Sequence, residues 1–220
     1  MKRRNFLKFG AGTAVTLAGF QTLAAGTAAE QCSRLLTPPQ PEGPFYPVVD
    51  QVDTDADLIQ ISGSNQIAEG QIIVIEGQVK DQFCKPVQGA LVEIWQACHS
   101  GRYNHPSDPN TAELDPNFQY WGKAVSDKNG LYRFRTVLPG AYPADESWIR
   151  PPHIHYKISK KGYLELITQM YFTGHDELNG EDLILNRLSA AQRNEVIVEL
   201  RQREDLPHLV GVFDIKIEKL

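Results

Sequence analysis

The sequence predicts an all-β fold: a single-domain antiparallel β-sandwich with long loops and at most one or two short helices. Three observations carry this. Short β-branched runs recur between turn residues, Gly (17) and Pro (14) are plentiful, and apolar residues alternate rather than repeating at helical spacing. With 220 residues the chain can bury one good core and needs no second domain.

The first 29 residues read as an address. Lys2-Arg3-Arg4-Asn5-Phe6-Leu7-Lys8 precede a mildly apolar stretch from Phe9 to Leu23, and small residues follow at Thr27-Ala28-Ala29. A basic start, an apolar middle and an Ala-rich end describe a secretory signal, and the paired arginines resemble the twin-arginine export signal of bacteria. The expectation is cleavage, a periplasmic or secreted mature protein, and contact with a membrane only during export. The plainer reading is a short anchor left in place.

Residues 30–57 come next. Thr37-Pro38-Pro39-Gln40-Pro41-Glu42-Gly43-Pro44-Phe45-Tyr46-Pro47 is too rich in proline for a helix and predicts an extended arm lying on the domain surface. The sandwich is expected over 58–220. Its strand candidates are 72–79, 90–95, 131–136, 153–159, 168–172 and 211–217, and Ser189 is placed to cap a helix from Ala190 to Ile197 or Leu200. Between Trp95 and Val125 runs a long series of turn formers, the kind of loop that usually carries function.

Charge and cysteines narrow the function. Beyond residue 29 the chain holds 18 basic against 27 acidic residues, a net −9, which argues against binding phosphate backbones and so against a nucleic-acid partner. Cys32, Cys84 and Cys98 show no Cys-x-x-Cys spacing, so a zinc site or thioredoxin-like pair is not expected. Two of them can pair in an oxidising compartment, and the sequence leaves the choice open.

The sharpest local signal is Arg150-Pro151-Pro152-His153-Ile154-His155-Tyr156-Lys157-Ile158. Residues i and i+2 of a strand share a face, so His153 and His155 can aim at one point and form half of a site for a first-row metal. Alone the pair is weak, because surface histidines and zinc or copper sites use the same spacing. The other histidines, His99, His105, His175 and His208, fall in loops and are expected to face solvent. Tyr103 or Tyr142 taken singly reads as a loop tyrosine with its hydroxyl on a backbone group.

An ordered series surrounds the histidines: Trp95-Gln96-Ala97, Gly101-Arg102-Tyr103-Asn104-His105, Asp115-Pro116-Asn117-Phe118, Arg133-Phe134-Arg135-Thr136 and Pro139-Gly140-Ala141-Tyr142-Pro143. From about Glu42 to Tyr171 the series resembles the intradiol ring-cleavage dioxygenases, most closely the β-subunit type of protocatechuate 3,4-dioxygenase. The resemblance implies one iron(III) bound by Tyr103, Tyr142, His153 and His155, with Arg150, Gln169 and Tyr142 in catalytic roles. It also implies a catechol-type substrate opened by O2 to a cis,cis-muconate-type diacid. Such a ligand set is chemically sound. Phenolate is a hard anionic donor suited to iron(III), and coordination lowers a phenol pKa that is ordinarily near 10.

Within the resemblance Arg150 is a fixed cation that stabilises negative charge on the substrate, and Gln169 lines the same pocket. Trp95 is expected in the core. The segment 143–149 is shorter than in protocatechuate enzymes and has Ala144 where they place a large aromatic, which implies a reshaped pocket. A homo-oligomer is left open. Two other readings stand beside this one: an iron-free β-sandwich binding or carrier module, and a zinc or copper enzyme built on His-x-His.

Overall fold

Alternation along the extended backbone decides which faces must be covered. In Leu131–Val137 the side chains of Tyr132, Phe134 and Thr136 are buried while Leu131 and Arg133 face out. A strand with one apolar face needs a second layer over it. The computed structural model, which describes residues 35–49, 51 and 53–220, supplies that layer.

Two five-stranded sheets enclose the core. The first is built on β1 (Ile72–Asp81), antiparallel to β4 (Leu131–Val137). On its other side β1 pairs with β11 (Leu209–Val212) along Ile73–Glu76 and with β12 (Ile215–Ile217) along Val79–Asp81. Outside β11 lies β10 (Leu200–Arg201). The second sheet runs β3 (Trp121–Val125), β2 (Leu91–Trp95), β7 (His153–Ser159), β8 (Leu166–Phe172) and β9 (Ile197–Val198). Ile73, Ile75 and Phe134 of the first sheet pack with Val92, Ile94, Ile154 and Ile158 of the second. The Tyr132 and Tyr156 rings meet across the layers at 6.3 Å. A short ribbon of β5 (Tyr142–Pro143) and β6 (Ile149–Arg150) stands apart.

The all-β sandwich is as predicted, with three parallel pairings in it: β1–β11, β1–β12 and β8–β9. The first two arise because the expected strand 211–217 breaks at Phe213 and Asp214. Phe213 N donates to Glu76 O, and Asp214 Oδ1 accepts from Gln78 N, so the break is itself hydrogen-bonded to β1. Among the described residues, helix is confined to α1 (Asp176–Glu181), α2 (Ala190–Val196) and a 3-10 turn at Leu185–Arg187. Ser189 caps α2 with Gln192 in a reciprocal box. The helix stops at Val196, short of Leu200, because Ile197 turns extended and joins β8.

The described part of the arm is extended and lies along the sandwich with Pro39, Pro41, Gly43, Pro44, Val48 and Val49 exposed, while Thr37, Gln40 and Phe45 are buried. Gln40 N donates to Ile167 O, and Lys216 N to Thr37 Oγ1. Proline excludes helix without deciding burial, and a polar arm seats itself inside when each buried group finds a partner.

Among the cysteines, Cys84 is disulfide-bonded and Cys98 is a buried free thiol. Cys32 and the proposed signal at 1–29 lie outside the described residues. No helix among the described residues is long and apolar enough to cross a membrane.

Candidate metal centre

Strand register places most of the site. In β7 the side chains of Ile154, Tyr156 and Ile158 turn into the sandwich core, so His153 and His155 turn to the opposite face. Trp95 of β2 stands opposite His155, and Gln169 of β8 stands opposite it on the other side. Tyr171 is paired with His153 in the same way. In the ribbon, Tyr142 is opposite Arg150.

Tyr103 comes from the long loop between β2 and β3, where its backbone N–H donates to Asp108 Oδ2 at 2.7 Å. The two tyrosine-bearing loops meet at Cys98, whose carbonyl accepts from both Gly101 N and Gly140 N at 3.0 Å. A Cβ on Gly101 would lie 2.4 Å from Ala141 O, and one on Gly140 2.4 Å from His99 O. Only glycine allows that approach.

The four predicted donors converge. Ring centroids are 5.5 Å apart for Tyr103 and Tyr142, 5.6 Å for Tyr142 and His153, 4.9 Å for His153 and His155, and 6.1 Å for Tyr103 and His155. The circuit closes on itself. His153 Nδ1 donates to Pro151 O at 2.6 Å, which leaves Nε2 with its lone pair 3.3 Å from Tyr103 Oη. His155 has a buried Nδ1 with no hydrogen-bond partner. Its ring is held by Trp95, stacked at 4.9 Å and 10°.

Burial sets the protonation of all four. It raises Tyr103 well above the usual phenol value, with Tyr142 adding to the effect, and it raises Tyr142; Arg150 partly opposes both shifts. Burial, followed by the Arg150 charge, holds His153 and His155 well below 6.5. Without a cation the centre is therefore two neutral phenols and two neutral imidazoles. Among the described residues no three His, Cys, Asp or Glu side chains form a metal-binding group, so the tyrosines are needed to complete a site at His153 and His155. The set suits a hard trivalent cation, whose charge would convert the phenols to phenolates.

Arg150 is 4% exposed and joined to the centre through β8. Its Nη2 donates to Gln169 Oε1 at 2.6 Å and Tyr171 Oη at 3.3 Å, while Nε donates to Asp182 Oδ2 at 2.7 Å. Gln169 Nε2 in turn donates to Pro41 O of the arm. Arg150 and Gln169 thus sit together, in direct hydrogen-bond contact.

Several neighbours were not foreseen. Gln40 accepts from Tyr171 Oη and donates to Gln169 O, Phe45 packs 4.7 Å from Tyr103, and Asp182 is the fully buried partner of Arg150. A glutamine between two prolines was the only hint for Gln40. His105, expected in solvent, is half-buried 5.7 Å from Phe45. It helps line a cavity of about 350 Å³ that opens beside Tyr103 and Trp95.

Residues 42–218 match the family described as Dioxygenase. The chain is 41% identical over 158 residues to the protocatechuate 3,4-dioxygenase beta chain of Burkholderia cepacia, covering 70% of this chain and 66% of that protein. It is 31% identical over 123 residues to a chlorocatechol 1,2-dioxygenase of Pseudomonas sp. (strain P51), covering 50% and 47%. Among solved structures, the dioxygenase domain of a dioxygenase and carbohydrate-binding fusion from Streptomyces sp. SirexAA-E superposes with a TM-score of 0.62. The two are 26% identical, and the match covers 84% of this chain and 99% of that one. The chain spans from about half to two thirds of the length of these curated relatives.

Proposed function

This chain belongs to the intradiol dioxygenase family, and from that premise we propose that it opens a catechol-type ring between the two hydroxyl-bearing carbons, with O2 as oxidant and iron(III) as cofactor. The carrying observation is the closed circuit of Tyr103, Tyr142, His153 and His155, whose donor chemistry fits a ferric ion. These four would hold the metal. Bound there, iron(III) supplies Lewis acidity toward the two ring oxygens.

The protein's own groups do the rest. Tyr142 shares the ladder position with Arg150, and its Oη, as the phenolate that the cation's charge would create, is the group we assign to receive a substrate proton. Arg150, fixed on Gln169 and Asp182, stabilises negative charge as it grows on the ring. Gln169 orients that guanidinium. Trp95, Phe45 and the neighbouring cavity hold the apolar ring and keep bulk water from it. Both atoms of O2 enter the product, a cis,cis-muconate-type diacid.

We further assign residues 1–29 to a twin-arginine-type signal, 30–57 to the arm and 58–220 to the catalytic domain. The mature protein would then act in the periplasm or outside the cell and meet a membrane only during export, with self-association left open.

The test is purification without added metal, followed by elemental analysis, visible absorption and O2 uptake on a panel of catechols. One iron per chain, a reddish-brown tyrosinate band and uptake with at least one catechol are expected. Zinc without iron, or a colourless protein inert to every catechol, overturns the reading. Tyr103→Phe should lose colour and iron together, while Arg150→Ala should keep the colour and lose most turnover.

A further inference from the structure

Asp182 follows α1 and precedes the 3-10 turn, 32 residues from Arg150 in sequence. It is 0% exposed, yet every carboxylate contact is made. Oδ2 accepts from Arg150 Nε at 2.7 Å, and Oδ1 accepts from Leu185 N at 2.7 Å and Ile184 N at 3.1 Å. The backbone donors fix the carboxylate and the carboxylate fixes the guanidinium. On the next nitrogen, Nη2 is fixed by Gln169 and Tyr171 of β8. Two adjacent nitrogens of a planar group are thus anchored to two different elements, and that determines the plane as well as the position.

A buried ion pair is a weak device for stability, since apolar residues of the same volume often serve as well. Its distinctive yield is geometry and charge balance, both of which matter here because Arg150 acts electrostatically on Tyr103, Tyr142, His153 and His155 alike.

We propose that Asp182 is a positioning residue for the ring-opening reaction: it holds Arg150 in the plane required beside the substrate and balances its charge until substrate charge develops. This rests on the assigned function. Among the described residues Asp182 hydrogen-bonds none of the four donor side chains; it works through Arg150.

The experiment combines Asp182→Asn, which keeps an acceptor and removes the charge, with Asp182→Ala, Arg150→Ala and the Asp182→Asn/Arg150→Ala double variant, all in the iron-loaded full chain. Asp182→Asn should lower kcat at least tenfold with KM changed less than threefold and with iron content and the visible band intact. In the Arg150→Ala background the same change should cost less than twofold. Equal losses in both backgrounds, or an unchanged kcat, overturn the proposal.

A second readout needs neither iron nor turnover. In the metal-free protein, the Nε–H signal of Arg150, identified by its disappearance in Arg150→Ala, should exchange with solvent slowly, and at least tenfold faster in Asp182→Ala. Unchanged exchange overturns the positioning role even in an active enzyme. If the parent turns over no catechol while exchange still depends on Asp182, it is the assigned function that fails.

Discussion

Trp95 lies flat on His155, with ring centroids 4.9 Å apart and planes 10° from parallel. This contact carries weight because the two histidines are held differently. His153 is tied by Nδ1 to the Pro151 carbonyl, whereas His155 Nδ1 is buried without a partner. The near-parallel stack limits the tilt of the His155 ring. Trp95→Leu should therefore weaken iron retention by about 10–100-fold, the range seen when groups that orient metal ligands are lost. Trp95→Phe should keep most of it. A chelator challenge followed by iron analysis reads the difference, and equal retention by Leu and Phe would exclude the stack as the cause.

Gly101 has a φ of +84° and meets Ala141 O. Gly101→Ala should cost about 1–3 kcal/mol from backbone strain alone, with more from the 2.4 Å contact. Denaturant unfolding of the metal-free protein measures this. The loops bearing Tyr103 and Tyr142 should also be pushed apart, removing the tyrosinate band in the fraction that remains folded. A stable, coloured Gly101→Ala protein would refute the contact.

Burial keeps His153 and His155 below the ordinary value of 6.5, so in acid the unfolded chain binds protons that the folded, metal-free chain refuses. Stability must then fall as pH drops below about 6.5, where these residues titrate in the unfolded state. Two such groups give a slope approaching about 2–3 kcal/mol per pH unit well below that point. Urea midpoints of the metal-free protein at pH 7.5 and 5.5 test it, with a His153→Asn/His155→Asn variant expected to show the shallower dependence.

Phe45 ties the arm to the centre, packing 4.7 Å from Tyr103 and 6.2 Å from Tyr142. Phe45→Ala should destabilise by about 3 kcal/mol, and Phe45→Leu by less than about 1.5 kcal/mol because most of the volume remains. Both are read from unfolding curves. An Ala variant as stable as the parent would show that the arm is not seated.

Much of this was legible in the sequence, for identifiable reasons. In β7 polar and apolar residues alternate along the sequence, in β4 Tyr132 and Phe134 alternate with Arg133 and Arg135, and the spacing of His153 and His155 follows from the same period. Tyr103 and Tyr142 were identified by resemblance, not by pattern, since a loop tyrosine carries no local signature. Asp182 and Gln40 were invisible because their partners lie 32 and about 130 residues away. Helix α1 escaped because its sequence, Asp-Glu-Leu-Asn-Gly-Glu, has one apolar residue and so no period to read. The arm was assigned its shape from proline but not its depth, which depends on strands encoded much later in the chain.

That arrangement has a consequence for timing. Thr37 waits for Lys216, and Gln40 waits for Thr168 and Gln169, so the earliest of these segments to leave the ribosome finds its seat only when nearly the last has emerged. Closing contacts across such long stretches of chain is slow. The seat of Gln40 beside Gln169, the partner of Arg150, thus cannot close before β8 is in place, and the anchor of Thr37 cannot close before β12 is.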